Sequence, residues 1–139
     1  MPTNFLVDSC VLIEYFRARD KSATWYYRLI QEHWIASLSV VVIFEVFSGA
    51  NGNQREFWKE FLHGAVRLPF DERTAEIAAD IFRELWQKNV RMEFSDLFIA
   101  ATAIANDLPL ATLNRKHFEQ VDGLRLLVPV KLNEIPDDQ

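Results

Sequence analysis

The stretch Phe5-Leu6-Val7-Asp8-Ser9-Cys10-Val11-Leu12-Ile13 runs from a short apolar segment into helical spacing, with an acid at the junction. Residues 4 to 8 read as a buried strand ending on Asp8, and Leu12, Ile13 and Phe16 recur at helical intervals over about residues 11 to 18. Strand followed by helix is therefore the first unit. Similar units recur downstream, with strands too apolar to face water, which predicts an α/β fold in which helices cover both faces of a parallel sheet. Ligands bind such sheets beyond the carboxyl ends of the strands, where Asp8 falls.

Working outward, Ser22 is a candidate cap for a helix carrying Trp25, Tyr26, Leu29 and Ile30, and Trp34 to Ser37 reads as the second strand. The run Val40-Val41-Val42-Ile43 favours prolonging that strand, whereas Ser39 as an N-cap and Gly49 as a terminator favour a buried helix carrying Glu45. Propensity alone leaves both readings open. Asn53 with Glu56 approximates a capping box for a helix striped by Phe57, Trp58, Phe61 and Leu62, and Val66 to Phe70 forms a third strand. Asp71 caps the clearest helix, with Ala78, Ile81, Phe82 and Leu85 expected inward. A nearly all-apolar helix spans Ser95 to Asn106, and Leu110 to Thr112 and Leu124 to Val128 supply the last two strands.

Half of the 139 residues are hydrophobic, with only four glycines and five prolines, so the expectation is one compact domain over residues 1–139 and not a disordered chain. Cys10 is the single cysteine and cannot form an internal disulfide; it reads as a small buried filler, since nothing basic adjoins it to lower its pKa. With no signal-like segment and no run of about 18 apolar residues, a reducing cytosol is expected and no membrane association. A net charge of −5 disfavours non-specific coating of nucleic acid, which rests on Lys and Arg.

Asp8, Glu45 in Val40-Val41-Val42-Ile43-Phe44-Glu45-Val46-Phe47, and Asp96 in Phe94-Ser95-Asp96-Leu97-Phe98-Ile99-Ala100 all lie in apolar segments. An ionised carboxylate withdrawn from water costs several kcal/mol unless it is paired. Each alone has an ordinary explanation: Asp8 as a helix cap, Asp96 as a first-turn acid, Glu45 as the partner of an arginine. Brought together at strand ends and helix starts they would repel one another, and a cation between them removes that cost. Oxygen ligands without a histidine or thiolate pair select Mg²⁺ or Mn²⁺ over zinc.

Four stretches in register carry a family resemblance. Phe5 to Leu12, Leu38 to Gly49, Ser95 to Ala103 and Ala111 to Phe118 resemble, in order and spacing, the motifs of PIN domains, specifically of VapC-type ribonuclease toxins of toxin–antitoxin pairs. The resemblance implies a PIN-like three-layer α/β/α domain with about five strands, a strand ending near Leu38, and a helix holding Glu45. It implies that Asp8, Glu45, Asp96 and Asn114 are the catalytic residues and that the three acids hold the metal, with Asn114 at the family's fourth acidic position, where an amide brings no charge.

It further implies Mg²⁺- or Mn²⁺-dependent hydrolysis of RNA, a homodimer, and inhibition by a small antitoxin protein. Arg115 and Lys116 beside Asn114 are then candidate RNA contacts, and Arg17, Arg19 and Lys21 form a second basic cluster that is either RNA-facing or simply solvated. His117 is expected to cap or pack in its turn. Trp25, Tyr26, Tyr27, Trp34, Phe57, Trp58 and Phe61 are candidates for a partner interface, with core packing the alternative. Two other functions compete. One is a PIN-like module that binds without catalysis. The other is a phosphoacceptor receiver domain, which would want an acidic pair after the first strand and a lysine on the last, and this chain has neither.

Overall fold

A computed structural model describes residues 3–129. Five parallel strands, β1 (Thr3–Val7), β2 (Trp34–Ser39), β3 (Val66–Leu68), β4 (Leu110–Ala111) and β5 (Leu126–Leu127), form one sheet in the order β3-β2-β1-β4-β5. The connections from β1 run outward to β2 and β3 on one side, and the chain then returns to place β4 and β5 on the other. That reversal opens a crevice beyond the carboxyl ends of β1 and β4, the position where such sheets bind ligands. The described helices are α1 (Ser9–Arg17), α2 (Trp25–Gln31), α3 (Val40–Ser48), α4 (Asn53–Phe61), α5 (Glu72–Gln87), α6 (Phe94–Ala105) and α7 (Arg115–Phe118). None of them is long and apolar enough to cross a membrane.

β1 is the spine of the core. Phe5, Leu6 and Val7 are fully buried, as are Leu110 and Ala111 on the neighbouring strand. Such strands can be apolar on both faces because helices cover both.

At Ser39 the helix reading holds. The Ser39 hydroxyl accepts from the Val41 amide at 3.0 Å, and the β-branched run becomes the first turn of α3. Val42 and Val46 then face the core while Phe44 points outward, so packing overrides the strand preference of Val40 to Ile43.

Several local expectations are corrected. The helix after the first strand starts at Ser9, with Asp8 as its cap. Thr24 and not Ser22 caps α2: the Thr24 hydroxyl accepts from the Tyr27 amide, and Glu14 Oε1 accepts from the Trp25 amide at 2.8 Å. Ser22 instead donates its amide to Asp20 in a single 3₁₀ turn, Lys21–Ala23. No Asn53–Glu56 capping box forms, because Asn53 is already helical and Gly52, at φ +48°, holds the cap position. The third and fifth strands are shorter than expected. Phe82, expected inward, is 43% exposed, because Ala78, Ile81 and Leu85 alone complete the buried stripe of α5.

Most of the candidate interface aromatics are core. Trp58 is buried, and Trp25, Tyr26, Trp34, Phe57 and Phe61 pack against the core, with Phe57 and Phe61 stacked 5.8 Å apart; only Tyr27 is exposed. The aromatic surface lies elsewhere, on a ladder of exposed rings in which Trp86 stacks on Phe82, which meets Phe94; Phe94 in turn stacks on the half-buried Phe98.

Candidate metal centre

Asp8 sits where β1 ends and α1 begins, and only 4% of it is exposed. Its two oxygens have separate duties. Oδ1 accepts from the Ser9 amide at 2.8 Å, which caps α1. Oδ2 accepts from the Thr112 hydroxyl at 2.8 Å and from the Cys10 thiol at 3.3 Å. The Asp8 amide donates to the Ala111 carbonyl, so the ends of β1 and β4 are tied together by backbone and side chain alike. Asp8 therefore does cap α1, one of the readings open on the sequence, while standing at the crevice beyond β1 and β4.

Glu45 approaches from α3 and Asp96 from the first turn of α6, two helices that pack on each other. Burial, then the charge of Asp8, push the Glu45 carboxyl above its ordinary range; Asp96 adds to this, while the Ser9 and Ser95 hydroxyls offset part of it. Asp96 is likewise raised, by burial and then by Asp8, against the opposing effect of His117. The acids are thus close enough to destabilise one another's charge. Glu45 Oε1 is buried with no hydrogen-bond partner.

Such an arrangement fits a hard divalent cation. An unpartnered buried carboxylate oxygen beside two more carboxylates offers the charge and the ligand type that Mg²⁺ or Mn²⁺ prefers. Among the described residues, no group of three or more His, Cys, Asp or Glu side chains is arranged so that it could hold a metal ion by itself. Mg²⁺ commonly binds through one or two carboxylates and keeps several waters, so an open set of acids suits it.

Asn114 reaches the rim through its backbone: its amide donates to Thr112 Oγ1 at 3.0 Å, so Thr112 links it to Asp8. The Asn114 side chain is exposed and does not cap α7. Its two basic neighbours diverge. Arg115 pairs with Glu119 at 3.8 Å on the outer face of α7, whereas Lys116 lines a groove of about 400 Å³ that Asp96 borders. Of the second basic cluster, Lys21 is structural, because its Nζ donates to the carbonyls of Tyr15, Phe16 and Ala18 at the end of α1, whereas Arg17 and Arg19 are exposed.

The Thr112 to Asn114 segment was expected at a strand end beside the crevice, but the particular roles of Thr112, Ser9, Ser95 and His117 escape sequence reasoning. Thr112 is fully buried and orients Asp8; Ser9 and Ser95 edge Glu45. His117 was expected only to cap or pack, yet its Nδ1 lies 3.3 Å from Asp96 Oδ2. A small hydroxyl residue carries no sequence signal of its own, although each of these serines and the threonine adjoins or closely follows a site motif. Cys10 is half-buried, and burial together with the Asp8 charge pushes its thiol up to about 12, which leaves it an inert hydrogen-bond donor.

The crevice location, the acid at the end of β1 and the acids on α3 and α6 define a class of protein. The PIN domain profile matches residues 5–124, and the chain belongs to the PIN domain family. Within that family its relatives are VapC ribonucleases. Ribonuclease VapC10 of Mycobacterium tuberculosis is 35% identical over 121 residues, covering 86% of this chain and 90% of the relative. Ribonuclease VapC1 of Methanocaldococcus jannaschii is 28% identical over 127 residues, covering 91% and 87%. Among solved structures, VapBC2 of Rickettsia felis bound to a DNA fragment from its promoter matches with a TM-score of 0.80 at 20% identity, over 92% of this chain and 100% of that one. FitAcB from Neisseria gonorrhoeae matches at 0.71 and 27% identity, over 88% and 96%.

Proposed function

We propose that this protein is an endoribonuclease, the toxin of a toxin–antitoxin pair, and that its hydrolysis of RNA phosphodiesters depends on Mg²⁺ or Mn²⁺. The family match and the VapC relatives support the ribonuclease reading. Metal dependence rests on one observation of this chain: Glu45 Oε1, buried and unpartnered, faces the same crevice as two further carboxylates. The VapBC complexes among the structural neighbours support a small protein antitoxin as partner.

In this reading Asp8, Asp96 and Glu45 hold the ion. When bound, it neutralises charge developing on the phosphoryl oxygens and makes water a better nucleophile. The remaining work belongs to the chain. Thr112 and the Ser9 amide hold the Asp8 carboxylate in one orientation, so the site is set before substrate arrives. Glu45 serves this site either by completing the ion's shell through Oε1 or by accepting, through a bound water, the proton of the attacking water. Asn114 contributes an uncharged amide at the rim, suited to positioning, not to ligation. Lys116 supplies positive charge toward the RNA backbone, a role that the Arg115–Glu119 pair makes weaker for Arg115. Homodimerisation belongs to the same reading, and among the described residues the exposed ladder of Phe82, Trp86 and Phe94 is one apolar surface available to it.

Asp8→Asn keeps the cap acceptor and removes the charge, so RNA cleavage in Mg²⁺ should vanish while the folded circular-dichroism spectrum persists. Undiminished cleavage by the purified variant would overturn the assignment.

A further inference from the structure

The groove beside Asp96 is built for something with two chemical characters. Its volume, about 400 Å³, falls within the range of about 300–1,000 Å³ typical of small-molecule sites. One side is apolar, contributed by Val90, Met92 and Val121. The other carries Arg91, Lys116 and Gln120, all three exposed. Among the described residues neither Arg91 nor Lys116 has an ion-pair partner, a state they share with other exposed cations such as Arg17, Arg19 and Arg83. What sets these two apart is that both line one groove with apolar side chains and a candidate metal-binding carboxylate.

We infer that this groove is a nucleotide subsite, which takes the RNA nucleotide adjoining the scissile phosphate. The inference rests on the endoribonuclease reading above and names where the strand leaves the reacting centre. Arg91 and Lys116 meet the flanking phosphate, the apolar wall receives the flat face of the base, and Gln120, with a donor and an acceptor on one amide, reads the base edge. Glu93 also lines the groove and opposes a purely anionic ligand. A nucleotide suits this balance, since it brings one negative charge and a neutral ring. It also accounts for Asp96 and Lys116 lining the same groove, since a strand whose phosphate is held at the acids continues along it.

The test measures equilibrium binding of short fluorescent homopolymer RNAs in EDTA, which separates binding from metal-dependent cleavage, with Arg91→Ala, Lys116→Ala and Gln120→Ala. Because all three side chains are exposed, the variants should melt as the wild type does. Each cation variant should weaken binding roughly tenfold and lower the slope of log affinity against log salt by about 0.7 to 1. Gln120→Ala should leave that slope intact and change the ranking among the four homopolymers. Unaltered affinity and slope in both cation variants would overturn the subsite. So would a groove that loses polyglutamate binding in those variants while keeping RNA, which would assign it to an acidic polypeptide. Cleavage by Asp8→Asn tests the underlying reading separately. A dead Asp8→Asn with neutral groove variants leaves the catalytic reading standing and the subsite refuted; an active Asp8→Asn with weakened groove variants does the reverse.

Discussion

In the metal-free protein at neutral pH, Glu45→Gln should raise thermal stability even though it removes a residue of the proposed active site. Burial, Asp8 and Asp96 all hold the Glu45 carboxyl above its ordinary range, and Oε1 has no partner. A raised value in the folded state means that the native protein binds this proton more tightly than the unfolded chain does. The residue therefore favours folding below the ordinary glutamate pKa of about 4.3, and that contribution is lost as pH rises through the folded value. Glutamine keeps the shape and an acceptor at the same place but removes the charge that burial and Asp8 disfavour, a relief of about 1–2 kcal/mol at most for one such carboxylate. A return of about 1–2 kcal/mol corresponds, in a domain of this size, to a melting temperature higher by roughly 3–8 °C. The assay is a series of melts in EDTA from about pH 4 to pH 8. The gain should be greatest at the neutral end and shrink to nothing near the acid end, where wild-type Glu45 is itself protonated.

Mg²⁺ should reverse the order. At one hundred times its dissociation constant a ligand adds about 2.7 kcal/mol to the native state, and the glutamine variant, short of one charged ligand, should gain less. A variant that melts below wild type in EDTA at neutral pH, or a gain that ignores pH, would refute the claim that these acids strain one another. Either result would also remove the main physical reason for placing a cation among them.

Other outcomes follow from named contacts. Thr112→Val withdraws the hydroxyl that donates to Asp8 Oδ2 and accepts the Asn114 amide, and should cost about 1–3 kcal/mol in denaturant unfolding together with a fall in kcat at little changed KM. Lys21→Ala should destabilise by about 1 kcal/mol, through the three carbonyls it serves at the end of α1, and leave the salt dependence of RNA binding as it was; a reduced slope would return Lys21 to the RNA surface. Trp86→Asp should weaken self-association roughly 30-fold in sedimentation equilibrium, as removal of a central aromatic anchor costs about 2 kcal/mol, and an unchanged dimer would place the interface elsewhere.

The order of elements, the burial of β1 and β4 and the three acids were legible in the chain, because each leaves a local mark: an apolar run, a helical interval, a carboxylate where water is scarce. The edge strand β3 was expected to be buried as well and is mostly exposed. Asp71 as a cap and the inward face of Ala78, Ile81 and Leu85 follow from spacing alone. Where two local rules compete, the chain does not decide. Val40 to Ile43 are good strand residues that become helix because Val42 and Val46 must fill the core, and Ser22 and Asn53 are plausible caps displaced by Thr24 and Gly52 one or two residues away.

What the sequence determined, then, was which residue types were available and roughly where each strand would end. Only the tertiary structure decided their company. Thr112 meets Asp8 because β4 lies beside β1, 104 residues away along the chain, and His117 meets Asp96 because α7 packs against α6. The same folding sends Lys116 to the groove and Arg115 to Glu119, although the two are adjacent in sequence. Sequence patterns report periodicity within one element, whereas a site is made of contacts between elements, and those exist only once the sheet order has been set.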